Sequence, residues 1–387
     1  MTDVMNLLTI LGTRPELVKL SPVLPLLDAA SGVRQRVLHT GQHYSAEMDA
    51  VFFQDLALRP PDIALQVGSQ SHAAQTGAIM IGVERALQQE PHAAVIVLGD
   101  TNSTLGGALA AAKLGVPVVH LEAGCRSFVR TMPEEINRVL TDHCATHLLA
   151  PDDVARRNLL AEGLPESAIA VVGSTSIDAA LRHLPAARGR PIVAEQVAAL
   201  GVRGPRDLLL CTVHRAENTT DEVLPGLLRG LGALAEHYPI VLPLHPRTRG
   251  VMDRLGLKIS PKIRLLPPLG YLDLLALLGQ VRALLTDSGG LQEESAAVGT
   301  PALILRTETE WSYLVTAGCN ALIGNQEDAV AALGLRLLGD AENDRMRRLS
   351  ADLPGVLTAP DGTRRGAAAE RIVAQVLGRL GARGRMS

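Results

Sequence analysis

Short apolar runs alternate with segments in which hydrophobic residues recur every three or four positions, and the alternation persists along the whole chain. The runs "NLLTIL", "QRVLHT", "AVIVLG", "VPVVHLE", "HLLAP" and "IAVVG" have the length of buried strands, with helical patterns between them. Such a series predicts parallel sheets covered by helices on both faces, an α/β fold. The pattern breaks at "LRHLPAARGRPIVAEQ", residues 181 to 196, where Pro, Gly and Arg interrupt it. A second series follows in "DLLLCTV", "PIVLPLH", "IRLLPP", "ALLTD", "PALIL" and "NALIG". The expected organisation is therefore a first sheet domain over 1–185 and a second over 186–362. In the tail, 363–387, "GTRRGAAAERIVAQVLGRLGARG" carries an apolar stripe at helical spacing, which predicts a terminal helix packing back on the first domain.

Length agrees with this division, since 387 residues exceed one ordinary core. Lys and Arg total 37 against 40 Asp and Glu, so no global field draws nucleic acid or an anionic membrane. Eight aromatic residues are too few for base-stacking platforms. Cys125, Cys144, Cys211 and Cys319 are scattered without metal-ligand spacing, which fits small core residues in a reducing compartment and implies no zinc. The N-terminal stretch lacks the pattern of a secretory signal, and no run of 18 apolar residues occurs, so a cytoplasmic location is expected.

Polar chemistry gathers where the strands end. Arg14 follows "LLTILGT", Asp100 follows "AVIVLG" and Glu122 follows "VPVVHL". His214 follows "DLLLCTV", His245 follows "IVLPL", and Asp287 with Ser288 follows "RALLT". In open parallel sheets ligands bind beyond the carboxyl ends of the strands, so these positions predict a cleft between the domains. Taken singly, each has a plainer reading: a charged loop in water, a helix cap for Asp100, a loop or core histidine for His245. "TDSGGLQEESAAVG" is the clearest anion site. Ser288, Gly289 and Gly290 let the backbone approach a phosphate at a helix start, and Glu294, one turn on, suits sugar hydroxyls. No GxxxxGK[ST] occurs, the one dinucleotide-like string lies inside a helical pattern, and no HExxH is present. ATP hydrolysis, NAD-linked redox and zinc hydrolysis all lose support.

The strings "GTRPE" with Lys19, "TGQH", "GDTNST", "HLEAGCRS", "PEEINR", "VGSTSID", "TVHRAEN", "DSGGLQEE" and "TEW" followed by "LVTAGCNALIG" resemble, in order, the UDP-N-acetylglucosamine 2-epimerase family. The resemblance implies two Rossmann-like, doubly wound domains of the GT-B type, a UDP-sugar substrate, a homodimer, and no metal or redox cofactor. It assigns sugar chemistry to the first domain and UDP binding to the second. By motif, Arg14, Lys19 and His245 join Ser288, Gly289 and Gly290 as UDP and diphosphate contacts, and Glu294 matches the ribose carboxylate. Asp100, Glu122 and Glu134 match the catalytic carboxylates, His214 the histidine at the leaving group, and Arg138 the arginine beside them. Inverting C2 of an N-acetylhexosamine requires removal of a poorly acidic proton. Expulsion of UDP from C1 gives a glycal-like intermediate, to which UDP adds again after protonation on the other face.

Two departures from the family pattern stand out. Ser312 and Tyr313 follow "TEW", and Ser45 occupies the place where substrate-activated members carry glutamine, so activation by substrate is not expected. The "TEW" and "LPLHPRTRGVMDRLGLK" strings also look like the subgroup acting on diacetamido-uronic acid UDP-sugars. A hydrolysing epimerase, a glycosyltransferase and a UDP-sugar-binding regulator without turnover are the remaining alternatives.

Overall fold

The structure, a computed structural model, describes residues 4–42, 52–350, 356–358 and 364–383. The chain divides into two compact units, residues 1–179 with 366–387 and residues 180–365. The division falls inside the Thr175–Arg188 helix, short of the boundary expected at 185. The Pro- and Gly-bearing stretch that reads as a break is helical to Arg188, and a second helix runs from Ile192 to Leu200. Burial of Leu181, Ala187 and Val193 outweighs the local cost of Pro185 within the helix.

The first unit holds a 7-stranded parallel sheet in the order β3-β2-β1-β4-β5-β6-β7. Its strands are β1 (Met5–Leu11), β2 (Val33–His39), β3 (Ile63–Ala64), β4 (Ala94–Leu98), β5 (Val118–Leu121), β6 (His147–Ala150) and β7 (Ile169–Val171). All five residues of β4 are buried, which is why a central parallel strand reads as an unbroken apolar run. Six of these strands coincide with the apolar runs in the sequence. The two-residue edge strand β3 has no such run. The order reverses between β1 and β4, and at that topological switch the loops on either side splay apart to leave room for a ligand.

The second unit repeats the plan with six parallel strands, β10-β9-β8-β11-β12-β13. They are β8 (Leu209–Thr212), β9 (Ile240–Pro243), β10 (Ile263–Leu266), β11 (Ala283–Thr286), β12 (Ala302–Ile304) and β13 (Asn320–Leu322). Here the switch lies between β8 and β11. Leu209, Cys211, Leu285 and Leu303 pack with helix residues such as Leu227, Leu231 and Leu234 to form its core.

In the tail, the helix occupies Ala368–Arg383, and Arg364–Gly366 forms a short strand with Val356–Thr358, so the segment from 363 is not helical throughout. The cause lies at its start. The Asp178 carboxylate accepts the Ala369 N–H at 2.7 Å, and a Cβ on Gly366 would stand 1.5 Å from Asp178 Oδ1, so the chain must enter here through glycine. Arg379 then reaches the carbonyls of Ser167, Ala168 and Ile169 at 2.9 to 3.1 Å, fastening the helix to the first unit.

Candidate active site

At the end of β1 the chain passes Gly12 and enters a helix capped by Thr13. Gly12 has no alternative, because a Cβ would lie 2.0 Å from Thr40 Oγ1 and 2.2 Å from Ser103 Oγ. Glu16 completes the capping box: its Oε2 accepts the N–H groups of Gly12 and Thr13 at 3.0 and 2.9 Å. Its Oε1 accepts from Thr101 and Thr104, tying this loop to the one after β4. Burial pushes the Glu16 carboxyl above its ordinary range, against the pull of those hydrogen bonds. Nothing in the sequence distinguished Glu16 from a routine cap.

Across the switch, Asp100 follows β4, and its Oδ2 meets Arg138 Nη2 at 2.5 Å. Arg138 projects from the Pro133–Cys144 helix and also pairs with Glu135 at 2.9 Å. Glu135 in turn accepts the N–H groups of Ser127 and Phe128, which holds the loop after β5 against the helix. Burial works to raise the Glu135 carboxyl, but those N–H groups and Arg138 outweigh it and hold it below the ordinary range. Asn137 donates to the Asp100 carbonyl at 2.8 Å, a second link between helix and strand end.

Glu122 stands just past β5 with φ of 63°, a left-handed conformation that a non-glycine residue adopts only under constraint. Its carboxylate receives Lys19 Nζ at 2.7 Å and Thr175 Oγ1 at 3.2 Å. Asp100 and Glu122 are thus each matched with a cation. Glu134, in the first turn of the Pro133–Cys144 helix, is exposed at the mouth of a cavity of about 240 Å³ that Glu16, Lys19, Asp100 and Asn137 also line. The first unit therefore brings Lys19, Asp100 and Glu134 to one cavity, with Glu122 and Arg138 joined to it through their ion pairs. Arg14 does not line that cavity; its guanidinium lies 5.1 Å from the Phe52 ring centroid.

The second unit assembles its own group. Asp287, fully buried after β11, accepts the N–H groups of His214 and Arg215 and the Asn218 amide, and its Oδ1 stands 2.9 Å from His214 Nδ1. Burial opposes its ionisation, but the His214 ring and the backbone N–H groups prevail and hold the carboxyl below its usual range. His245 caps the Pro246–Leu255 helix with Nδ1 accepting from Arg247 N at 3.2 Å, and its ring centroid is 5.8 Å from that of His214. Burial, then His214 and Arg247, lower its proton affinity, which keeps Nδ1 free to accept.

Ser288 is the N-cap of the Gly289–Ala297 helix and makes no side-chain cap bond. A Cβ at Gly289 would sit 3.6 Å from both Arg215 Nη2 and Trp311 Nε1, so two donors that the sequence did not single out flank this glycine turn. Arg215 is paired with Glu310, which Arg306 also holds. Burial would raise Glu310, but Arg306 and Arg215 pull it down to about 2. Glu294 is buried on the same helix, its Oε1 3.9 Å from where a Gly290 Cβ would be. Tyr313, one of the departures from the family pattern, donates its hydroxyl to Glu293 Oε1 at 3.0 Å and packs edge-on against Trp311. Ser45, the other, lies outside the described residues.

The UDP-N-acetylglucosamine 2-epimerase family profile matches residues 26–375. The chain belongs to this family. A UDP-N-acetylglucosamine 2-epimerase from Methanocaldococcus jannaschii is 43% identical over 343 residues, 86% of this chain and 92% of the relative. A UDP-2,3-diacetamido-2,3-dideoxy-D-glucuronate 2-epimerase from Pseudomonas aeruginosa is 40% identical over 344 residues, 88% of this chain and 94% of the relative. The crystal structure of the M. jannaschii UDP-GlcNAc 2-epimerase in complex with UDP-GlcNAc and UDP superposes with a TM-score of 0.83 at 38% identity. That match covers 96% of this chain and 99% of the other. Among the described residues no group of three or more His, Cys, Asp or Glu is placed to hold a metal ion, and no helix is long and apolar enough to cross a membrane.

Proposed function

We propose that this member of the epimerase family inverts C2 of UDP-N-acetylglucosamine, giving UDP-N-acetylmannosamine, without metal or redox cofactor. The observation that carries the reading is the convergence of Lys19, Asp100 and Glu134 on one cavity beside the β1/β4 switch, with Glu122 paired to Lys19, in a chain of this family. Anti elimination of UDP from C1 and the proton from C2 gives 2-acetamidoglucal, and syn re-addition of UDP completes the inversion. In this scheme the carboxylates of Asp100, Glu122 and Glu134 move the C2 proton, and Arg138 sets Asp100. His214, its Nδ1 held by Asp287, presents the other ring nitrogen to the departing diphosphate. Arg14, Lys19, His245, Ser288, Gly289 and Gly290 bind UDP and its diphosphate, and Glu294 takes the ribose. In this reading the protein is cytoplasmic, where buried thiols such as Cys211 and Cys319 stay reduced. Exposed Ile81, Ile136 and Leu140 suit a homodimer contact, which light scattering would test.

Incubation with UDP-N-acetylglucosamine in deuterated water tests the reaction. Deuterium at C2 with UDP still attached is expected; accumulating free UDP, or a C2 hydrogen that never exchanges, refutes it. The 40% identity to the P. aeruginosa enzyme favours a second reading, a diacetamido-uronate UDP-sugar as substrate. Comparing kcat/KM for the two sugars separates them.

A further inference from the structure

His120 sits in the middle of β5 with no exposed surface, an unusual place for an imidazole in a strand otherwise made of Val and Leu. Its Nδ1 is 2.7 Å from Asp142 Oδ1 and its Nε2 is 2.8 Å from the Gly99 carbonyl oxygen. A backbone carbonyl has no hydrogen to give. Burial favours protonation of Asp142, yet His120 and Arg126 overcome it and hold the carboxyl below its ordinary range. Nε2 must therefore donate to the Gly99 carbonyl while Nδ1 is engaged by Asp142, so both ring nitrogens are held by partners.

The partners lie on the segments that carry the chemistry. Gly99 immediately precedes Asp100. The other Asp142 oxygen accepts the N–H of Gly124, two residues past Glu122, at 3.1 Å and pairs with Arg126 at 2.7 Å. Asp142 itself is one turn beyond Arg138 on the Pro133–Cys144 helix, whose first turn carries Glu134. Arg126 is held from the next helix end by Glu162 at 2.7 Å, and Glu162 meets His143 at 3.3 Å. Beyond Gly99 and Gly124 the charged groups are the Asp100–Arg138 and Glu122–Lys19 pairs.

We propose that His120 and Asp142 are positioning residues: His120 clasps the Gly99 carbonyl with one ring nitrogen and Asp142 with the other, and so sets the spacing of the segments bearing Asp100, Glu122 and Glu134. The inference rests on the reading of those carboxylates as the reacting groups. A single buried hub fixes all three at once, whereas the part-buried ion pairs of Asp100 and Glu122 each hold one carboxylate.

Nitrogen-15 spectra of the wild-type protein give the first test. The His120 Nε2–H is expected to exchange with solvent far more slowly than that of an exposed histidine, as a buried proton held by the Gly99 carbonyl should. An Nε2–H that exchanges as fast as that of an exposed histidine overturns the proposal. The second test is His120→Gln, which keeps a donor and loses the ring that joins both partners. Its kcat for C2 exchange is expected to fall about tenfold or more, the penalty for sub-ångström misplacement, with KM within about twofold of wild type. Unchanged kcat, or a loss confined to KM, overturns it. The spectra need no variant, so they decide even where His120→Gln fails to fold. A wild type inert on UDP-sugars would refute the proposed reaction and leave the spectra unchanged, so the two failures are distinguishable.

Discussion

His214 and Asp287 are joined ring to carboxylate, with Nδ1 2.9 Å from Oδ1, while Asp287 also receives the backbone N–H of His214 itself. One buried carboxylate thus fixes both the ring and the main chain that carries it, and among the described residues Nε2 makes no hydrogen bond. Replacing Asp287 with Asn leaves a side chain of the same shape that presents one N–H to these donors. The ring then loses its orientation, and kcat/KM is expected to fall by about a hundredfold, within the usual range for acid–base assistance. Steady-state kinetics on a folded Asp287→Asn protein would check this, and wild-type turnover would remove His214 from the mechanism.

Glu122 holds a backbone conformation that costs a non-glycine residue roughly 1 kcal/mol, and its carboxylate faces Lys19 at 2.7 Å. Glycine relieves the strain and abolishes the chemistry. Glu122→Gly is therefore expected to melt within a few degrees of wild type while C2 deuterium exchange disappears. Exchange at the wild-type rate in this variant would show that Glu122 is no part of the reaction.

Acid should attack the second unit through Glu310. Its carboxyl is depressed from 4.5 to about 2, so between those values the folded state binds fewer protons than the unfolded chain. Stability consequently rises with pH across that window, is fully present above 4.5, and is lost on descent toward 2. The contribution is on the order of a few kcal/mol. Glu310→Gln should lower the urea midpoint at pH 7, and the gap from wild type should close as pH approaches 3; a gap that is constant with pH would contradict it.

Asp178 has the opposite sign. Burial raises its carboxyl from 3.8 to about 6, so the folded state binds more protons, and stability declines as pH climbs through that interval. Asp178→Asn keeps an oxygen for the Ala369 N–H and removes the titration. Its melting temperature is expected to lose the slope between pH 4 and 6 that wild type displays. At the same contact, Gly366→Ala would force a carbon onto Asp178 Oδ1 and is expected to destabilise the tail by a few kcal/mol, seen as early proteolysis of the terminal helix.

The strands were legible because central parallel strands such as β4 and β11 are buried on both faces and must be apolar along their length. The edge strand β3 and the short Arg364–Gly366 strand were not, since two or three residues at an edge need no such run. Asp100, Glu122, His214 and Ser288 were legible as site candidates because each ends a strand. Glu16, Glu135, Arg215 and Trp311 were not, because a capping glutamate, a helix acid, an arginine in a turn and a buried indole look alike in any protein until their partners are known.

Residue order alone determined the alternation of strand and helix, the two sheet units, and the family to which the chain belongs, since these depend on local periodicity and on strings of neighbouring residues. Tertiary structure alone decided which charges meet. Lys19 reaches Glu122 across 103 positions and Asp178 caps a helix that starts 190 residues later, and such pairings arise from strand order and helix packing, which no local pattern encodes.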